Sequence, residues 1–143
     1  MNYFSSGFKL GILGGGQLGK MLLSETRKFD IHTHVLDPSD EAPCAIACNK
    51  FYQGDLMDFK TVYEFGKKVD VLTFEIEHVN IRALEKLEAE GIKVYPSAQT
   101  LKLIQNKGTQ KDFYIRNNIP TADYKRFDGL FTLENAVKNN DVQ

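Results

Sequence analysis

Residues 8–19 read Phe-Lys-Leu-Gly-Ile-Leu-Gly-Gly-Gly-Gln-Leu-Gly, an apolar run that enters a glycine turn and then a helical pattern. The spacing Gly14-x-Gly16-x-x-Gly19 gives each glycine a task. The first makes a tight turn, the second lets backbone approach a ligand, and the third lets the helix pack closely on the strand. The setting strengthens the match: an apolar strand pattern precedes it, an amphipathic helix pattern follows, and Asp37 stands about twenty residues on, where the next strand pattern ends. The pattern predicts a ligand-binding edge at the start of an α/β sheet.

Downstream, strand and helix signals alternate. Residues 31–36 and 50–53 read as strands, the latter closed by Gly54-Asp55. Phe59, Val62, Tyr63 and Gly66 recur at helical spacing. Residues 71–74 form a buried-strand pattern, Asn80 is an N-cap for a helix with Ile81, Leu84 and Leu87 on one face, Gly91 closes that helix, and residues 92–95 make a fifth strand. Parallel neighbours need crossover helices, so this alternation predicts a Rossmann-like parallel sheet flanked by helices. After Pro96 the pattern changes: Ser97 caps a short helix carrying Leu101 and Ile104, and a second runs from Lys107 to Asn117, ended by Asn118 and Pro120. From Thr121 the chain reads as extended, with one more helix over 130–138. The division expected is therefore a domain over 1–120 and, over 121–143, a linker and the start of a second domain. The polar close Asn-Asn-Asp-Val-Gln carries no terminating element and reads as a cut, so a fragment of a longer protein is expected.

With 143 residues, 42% of them hydrophobic, the chain can build a core of its own. Its net charge of -1 supplies no basic field for nucleic acid or an anionic membrane, so any anionic ligand must be held locally. No apolar run has the length of a membrane span, and the opening residues lack the basic start and apolar core of a signal peptide; a cytoplasmic location is the expectation. Cys44 and Cys48 lack a second pair and a nearby histidine, which argues for structural thiols over zinc.

In open parallel sheets ligands bind beyond the carboxyl ends of the strands. The segments there are 14–19, Asp37-Pro38, Gly54-Asp55, Glu75-Ile76-Glu77-His78 and Pro96-Ser97. The fourth is the most unusual, because two carboxylates and a histidine after an apolar strand must face water or a ligand. Against that stands a solvated loop in which Glu77 is favoured by the dipole of the following helix. Asp37 has two readings of equal weight, a ribose diol ligand or an Asx turn with Pro38 and Ser39. His32 and His34 share one strand face without a third ligand and read as packing residues. Lys107 opens a helix, where the dipole disfavours a cation unless an anionic ligand is drawn to the same end.

Three motifs in order carry a resemblance: Gly-Ile-Leu-Gly-Gly-Gly-Gln-Leu-Gly-Lys-Met-Leu, Asp-Val-Leu-Thr-Phe-Glu-Ile-Glu-His-Val, and Pro-Ser-x5-Ile-Gln-Asn-Lys-x3-Lys-x7-Ile-Pro. Across about residues 8–127 the chain resembles the N-terminal, pre-ATP-grasp domain of the N5-carboxyaminoimidazole ribonucleotide synthetase family. The resemblance implies that residues 121–143 begin an ATP-grasp domain. It also implies that the full enzyme uses ATP, with Mg2+ bridging its phosphates, to activate bicarbonate and carboxylate 5-aminoimidazole ribonucleotide in purine biosynthesis. By similarity Gly16, Gln17 and Leu18 line the ribonucleotide pocket, Glu75 accepts hydrogen bonds from the substrate, His78 lines the same cleft, and Lys107 reaches the ATP phosphates. The metal ligands and the remaining ATP-grasp elements would follow Gln143, so this fragment is expected to be inactive alone, with no catalytic or metal residue of its own. The full enzyme is expected to be a homodimer. A second reading, from the fingerprint and Asp37, is a regulatory Rossmann module sensing NAD or another nucleotide. A dehydrogenase is a third, weakened because no catalytic domain is visible.

Overall fold

The computed structural model describes residues 7–127 and 129–139. Contacts divide the chain into two compact units that part between Gln105 and Asn106. The sequence division at Pro120 marks where helical pattern gives way to extended chain, whereas this division follows packing.

The first unit is a five-stranded sheet, all parallel, of order β3-β2-β1-β4-β5. Its elements are β1 (Lys9–Leu13), α1 (Gln17–Thr26), β2 (His32–Asp37), β3 (Lys50–Gln53), α2 (Phe59–Gly66), β4 (Val71–Phe74), α3 (Ile81–Ala89), β5 (Lys93–Val94) and α4 (Ala98–Gln105). The strand pleat sorts side chains between two faces. Leu13, Leu36 and Leu72 pack with Val62, Phe65, Ala83, Leu84, Leu87 and Leu101 from α2, α3 and α4. On the opposite face Ile12 and Val35 meet Leu23 of α1 and Cys44. Burial on both faces explains why β1 and β4 read as apolar runs rather than alternating strands. Helix starts obey their caps: Asp58 accepts from the Thr61 amide at 2.7 Å, Asn80 from Ala83 at 3.0 Å and Ser97 from Thr100 at 3.2 Å. The fifth strand is shorter than its sequence pattern, because only Lys93 and Val94 pair with β4.

Strand order reverses between β1 and β4, which pair from Leu10↔Val71 to Leu13↔Phe74. The glycine segment after β1 and the acidic segment after β4 therefore leave the sheet side by side, at the switch point where such folds bind ligands.

The second unit holds α5 (Lys107–Arg116) and α6 (Leu130–Lys138), with residues 119–127 in neither helix nor strand. Phe113, Tyr114 and Ile115 are consecutive, so they spread around α5 instead of forming a stripe, and no residue of α5 is buried. Polar contacts tie α5 to the segment that follows it. Lys111 donates to the Thr121 hydroxyl at 2.6 Å and to the Ala122 carbonyl at 3.2 Å, and the Tyr124 hydroxyl donates to Asp112 at 2.5 Å. Arg126 pairs with the same Asp112 carboxylate, and these contacts, led by the Tyr124 hydrogen bond, hold the Asp112 carboxyl below its ordinary value.

Candidate functional site

The site is the carboxyl edge of the sheet around residues 14–19. Gly14 turns with φ +98, and a Cβ there would lie 2.8 Å from Glu75 Oε1. Glycine is favoured here by conformation, and a side chain would in addition displace the Glu75 carboxylate above it. At Gly19 a Cβ would meet the Gly14 carbonyl oxygen at 2.9 Å, which is the close helix–strand approach the third glycine serves.

Two carboxylates from neighbouring strands hold this loop. Asp37, ending β2, accepts from the Gly15 amide through Oδ2 at 2.7 Å and from the Ser39 amide through Oδ1 at 2.8 Å. The Asx turn is therefore present, and Asp37 also braces the glycine loop. A ribose diol at Asp37 would compete with two backbone amides for the same oxygens, which weakens the dinucleotide reading. Glu75, following β4, accepts from the Gly16 amide through Oε1 at 3.2 Å. Gly16 is the N-cap of α1 and has no side chain to cap with, so Glu75 supplies from another strand the negative charge that a helix start favours. Sequence patterns missed this tie because its partners are 59 residues apart. Behind the loop, Cys44 is fully buried and its amide donates to the Gly15 carbonyl at 2.9 Å. Burial first, then Cys48, Glu75 and Asp37, pushes the Cys44 thiol up to about 11, which makes it a packing group rather than a nucleophile.

Gln17 and Leu18 open α1 and face outward; Leu18 is 62% exposed. Glu77 and His78 are exposed as well. Between Glu75 and Asn80 the backbone is pinned at both ends. The Glu75 amide donates to Leu13 at 3.0 Å, Val79 is fully buried, and the Asn80 amide donates to Leu56 at 2.9 Å. The structure thus gathers Gly16 and Glu75 into contact, with Gln17 and Leu18 following Gly16 and His78 three residues beyond Glu75. Lys107 is the first residue of α5, in the second unit, where Asn106 caps the helix by accepting from Thr109 at 2.9 Å. Among the described residues no group of three or more His, Cys, Asp or Glu is placed to hold a metal ion. None of the described helices is long and apolar enough to cross a membrane.

Residues 8–105 match the model of the ribonucleotide synthetase preATP-grasp domain. A phosphoribosylaminoimidazole carboxylase of Ogataea methanolica is 42% identical over 80% of this chain and 22% of its own length. An N5-carboxyaminoimidazole ribonucleotide synthase of Staphylococcus aureus is 36% identical over 78% of this chain and 29% of its own. Among solved structures, the N5-carboxyaminoimidazole ribonucleotide synthetase of Thermotoga maritima superposes with a TM-score of 0.80 at 36% identity, over 92% of this chain and 36% of its own. The N5-carboxyaminoimidazole synthase of Aspergillus clavatus, solved with ADP and 5-aminoimidazole ribonucleotide, gives 0.79 at 35% identity, over 92% of this chain and 36% of its own. The chain spans well under half of each of these relatives. A five-stranded parallel sheet, a carboxylate-braced glycine loop and this matching model lead to one conclusion: the chain belongs to the ribonucleotide synthetase preATP-grasp domain family, in the form carried by N5-carboxyaminoimidazole ribonucleotide synthetases.

Proposed function

We propose that a full-length enzyme carrying this domain uses ATP and bicarbonate to carboxylate the exocyclic amine of 5-aminoimidazole ribonucleotide, releasing ADP and phosphate, and that this domain holds the ribonucleotide. The observation that carries the reading is the juxtaposition at the switch point of an outward glycine loop, Gly16 to Leu18, with the half-buried Glu75 carboxylate. One oxygen of Glu75 orders the loop, and the other is the acceptor for a substrate hydroxyl or amine. His78 lines the same cleft. The Aspergillus clavatus relative, solved with ADP and this ribonucleotide, supports the assignment. In the reaction the amine attacks an activated carboxyl group, and ordered backbone at this edge favours transfer to the amine over hydrolysis.

ATP belongs to the remainder of the enzyme, with Lys107 as one cationic contact to its phosphates and Mg2+ held by residues outside this chain. A compact ammonium at a helix start suits a phosphate drawn to the same end. The enzyme is proposed to act as a cytoplasmic homodimer, and this chain alone is proposed to be inactive. Lys107→Ala in the full-length enzyme is expected to raise the KM for ATP about tenfold, on the scale of one charge-assisted contact. The isolated chain is expected to hydrolyse no ATP. Unchanged ATP kinetics in the variant, or turnover by the chain, would remove Lys107 from this role or the division of labour from the account.

A further inference from the structure

The segment between Glu75 and Asn80 contains a turn that is weak by itself. The Val79 amide donates to the Glu77 carbonyl at 3.0 Å, closing a three-residue turn with His78 at its apex. Such a turn closes on a single bent hydrogen bond between residues two apart. The Gln105 carboxamide reaches it from the end of α4, donating to the Glu77 carbonyl at 2.7 Å and to the Val79 carbonyl at 2.9 Å. One side-chain nitrogen thus ties together both ends of the turn, across 28 and 26 residues of sequence. Helix α4 is itself anchored through its first turn, since Ala98 and Leu101 are fully buried and the Ala98 amide donates to Glu88 at 2.9 Å.

We propose that Gln105 is a positioning residue for the ribonucleotide site: its carboxamide fixes the turn that presents His78 and follows Glu75. The proposal rests on the reading of this edge as the ribonucleotide site. It assigns Gln105 no contact with substrate. Its chemistry is that of a donor without charge: the two carbonyls need N–H groups, a thioether offers none, and a shorter amide cannot span both.

The test uses Gln105→Met, which keeps the length of the side chain and removes its donors, and Gln105→Asn as the shorter amide should the first variant fold poorly. In the isolated chain, hydrogen exchange at the Val79 and Asn80 amides is expected to quicken about tenfold, the scale of one lost hydrogen bond, while Leu13 and Val35 in the central strands keep their protection. In the full-length enzyme the KM for 5-aminoimidazole ribonucleotide is expected to rise about tenfold, with the KM for ATP unchanged. Unchanged exchange at Val79 and Asn80 overturns the proposal. Faster exchange with both KM values unchanged, or both raised alike, also overturns it, leaving Gln105 a structural tie only. Glu75→Gln separates this failure from that of the underlying reading. If Glu75→Gln leaves the ribonucleotide KM unchanged, the site assignment falls, and the exchange result alone decides whether Gln105 orders the turn.

Discussion

The two ends of one sheet treat their polar groups differently. At the carboxyl end Asp37 and Glu75 accept the amides of Gly15 and Gly16, and Gln105 joins the carbonyls of Glu77 and Val79. At the amino end, on the face of β1 and β2 toward α2, the rings of His32 and His34 lie 5.3 Å apart, and Nδ1 of each is buried without a hydrogen-bond partner. Lys9 lies in register beside His32, Lys50 in register beside His34, and the Lys50 and Lys68 ammonium groups stand 5.3 and 5.8 Å from the Tyr52 ring. Both ends carry long-range bonds, the amino end from the Lys9 amide to Asp70 and from the Thr33 amide to Asn49, each at 2.8 Å, but only the amino end also holds this unsatisfied pair. What sets the carboxyl end apart is that its bonds fix an outward-facing loop where a ligand would meet it, while the unsatisfied pair lies at the other end.

The sharpest way to break this contrast is chemical. If the loop is as closed as its bonds indicate, Cys44 behind it, with its thiol pushed up to about 11, stays protonated and shielded at pH 8. Its alkylation by iodoacetamide is expected to be at least about a hundredfold slower than that of an exposed thiol of ordinary pKa. Fast alkylation followed by mass spectrometry would mean that the loop opens readily. Next in size is Gly14→Ala, which forces a side chain into φ +98 and against Glu75 Oε1. A loss of about 1–3 kcal/mol is expected, read as a fall of about 4–8 °C in Tm per kcal/mol. A neutral result would show that the loop yields at little cost.

The amino end is tested by pH. Burial first, then His32, Lys50 and Lys9, lowers the pKa of His34 below its ordinary value. The folded state then binds fewer protons than the unfolded state as pH falls through about 6.5, so stability is full above that value and declines below it. Urea midpoints are expected to drop between pH 7.5 and 5.5, and His34→Phe is expected to flatten that drop. An equal pH dependence in both proteins would clear His34 of the effect.

Much of the fold was legible because local patterns and long-range pairing agree. The glycine segment, the apolar run at 71–74 and the caps at Asn80 and Ser97 each state a local preference that the sheet also satisfies. Helix α5 was legible as a helix, but its consecutive Phe113, Tyr114 and Ile115 define no buried face. The site was legible as a set of segments at strand ends. Its bracing was not: the Asp37, Glu75 and Gln105 bonds join residues 22, 59 and 28 positions apart, and no periodicity links them. The sequence left Asp37 divided between a ribose ligand and an Asx turn, and only the geometry of Gly15 and Ser39 separates these.

Glu75→Gln in a full-length enzyme separates the two roles of this carboxylate, the observed ordering of the glycine loop and the proposed contact with the ribonucleotide. The Gln carbonyl can still accept from the Gly16 amide, so Tm is expected to change little, while loss of charge at a substrate hydrogen bond costs about 1.5–3 kcal/mol. The KM for 5-aminoimidazole ribonucleotide is expected to rise about tenfold or more, on that same hydrogen-bond scale, with the ATP KM unchanged and Glu77→Gln nearly silent. A variant that lowers Tm while leaving the ribonucleotide KM untouched, or that behaves like Glu77→Gln, would contradict the proposed contact and make Glu75 a brace for the loop alone.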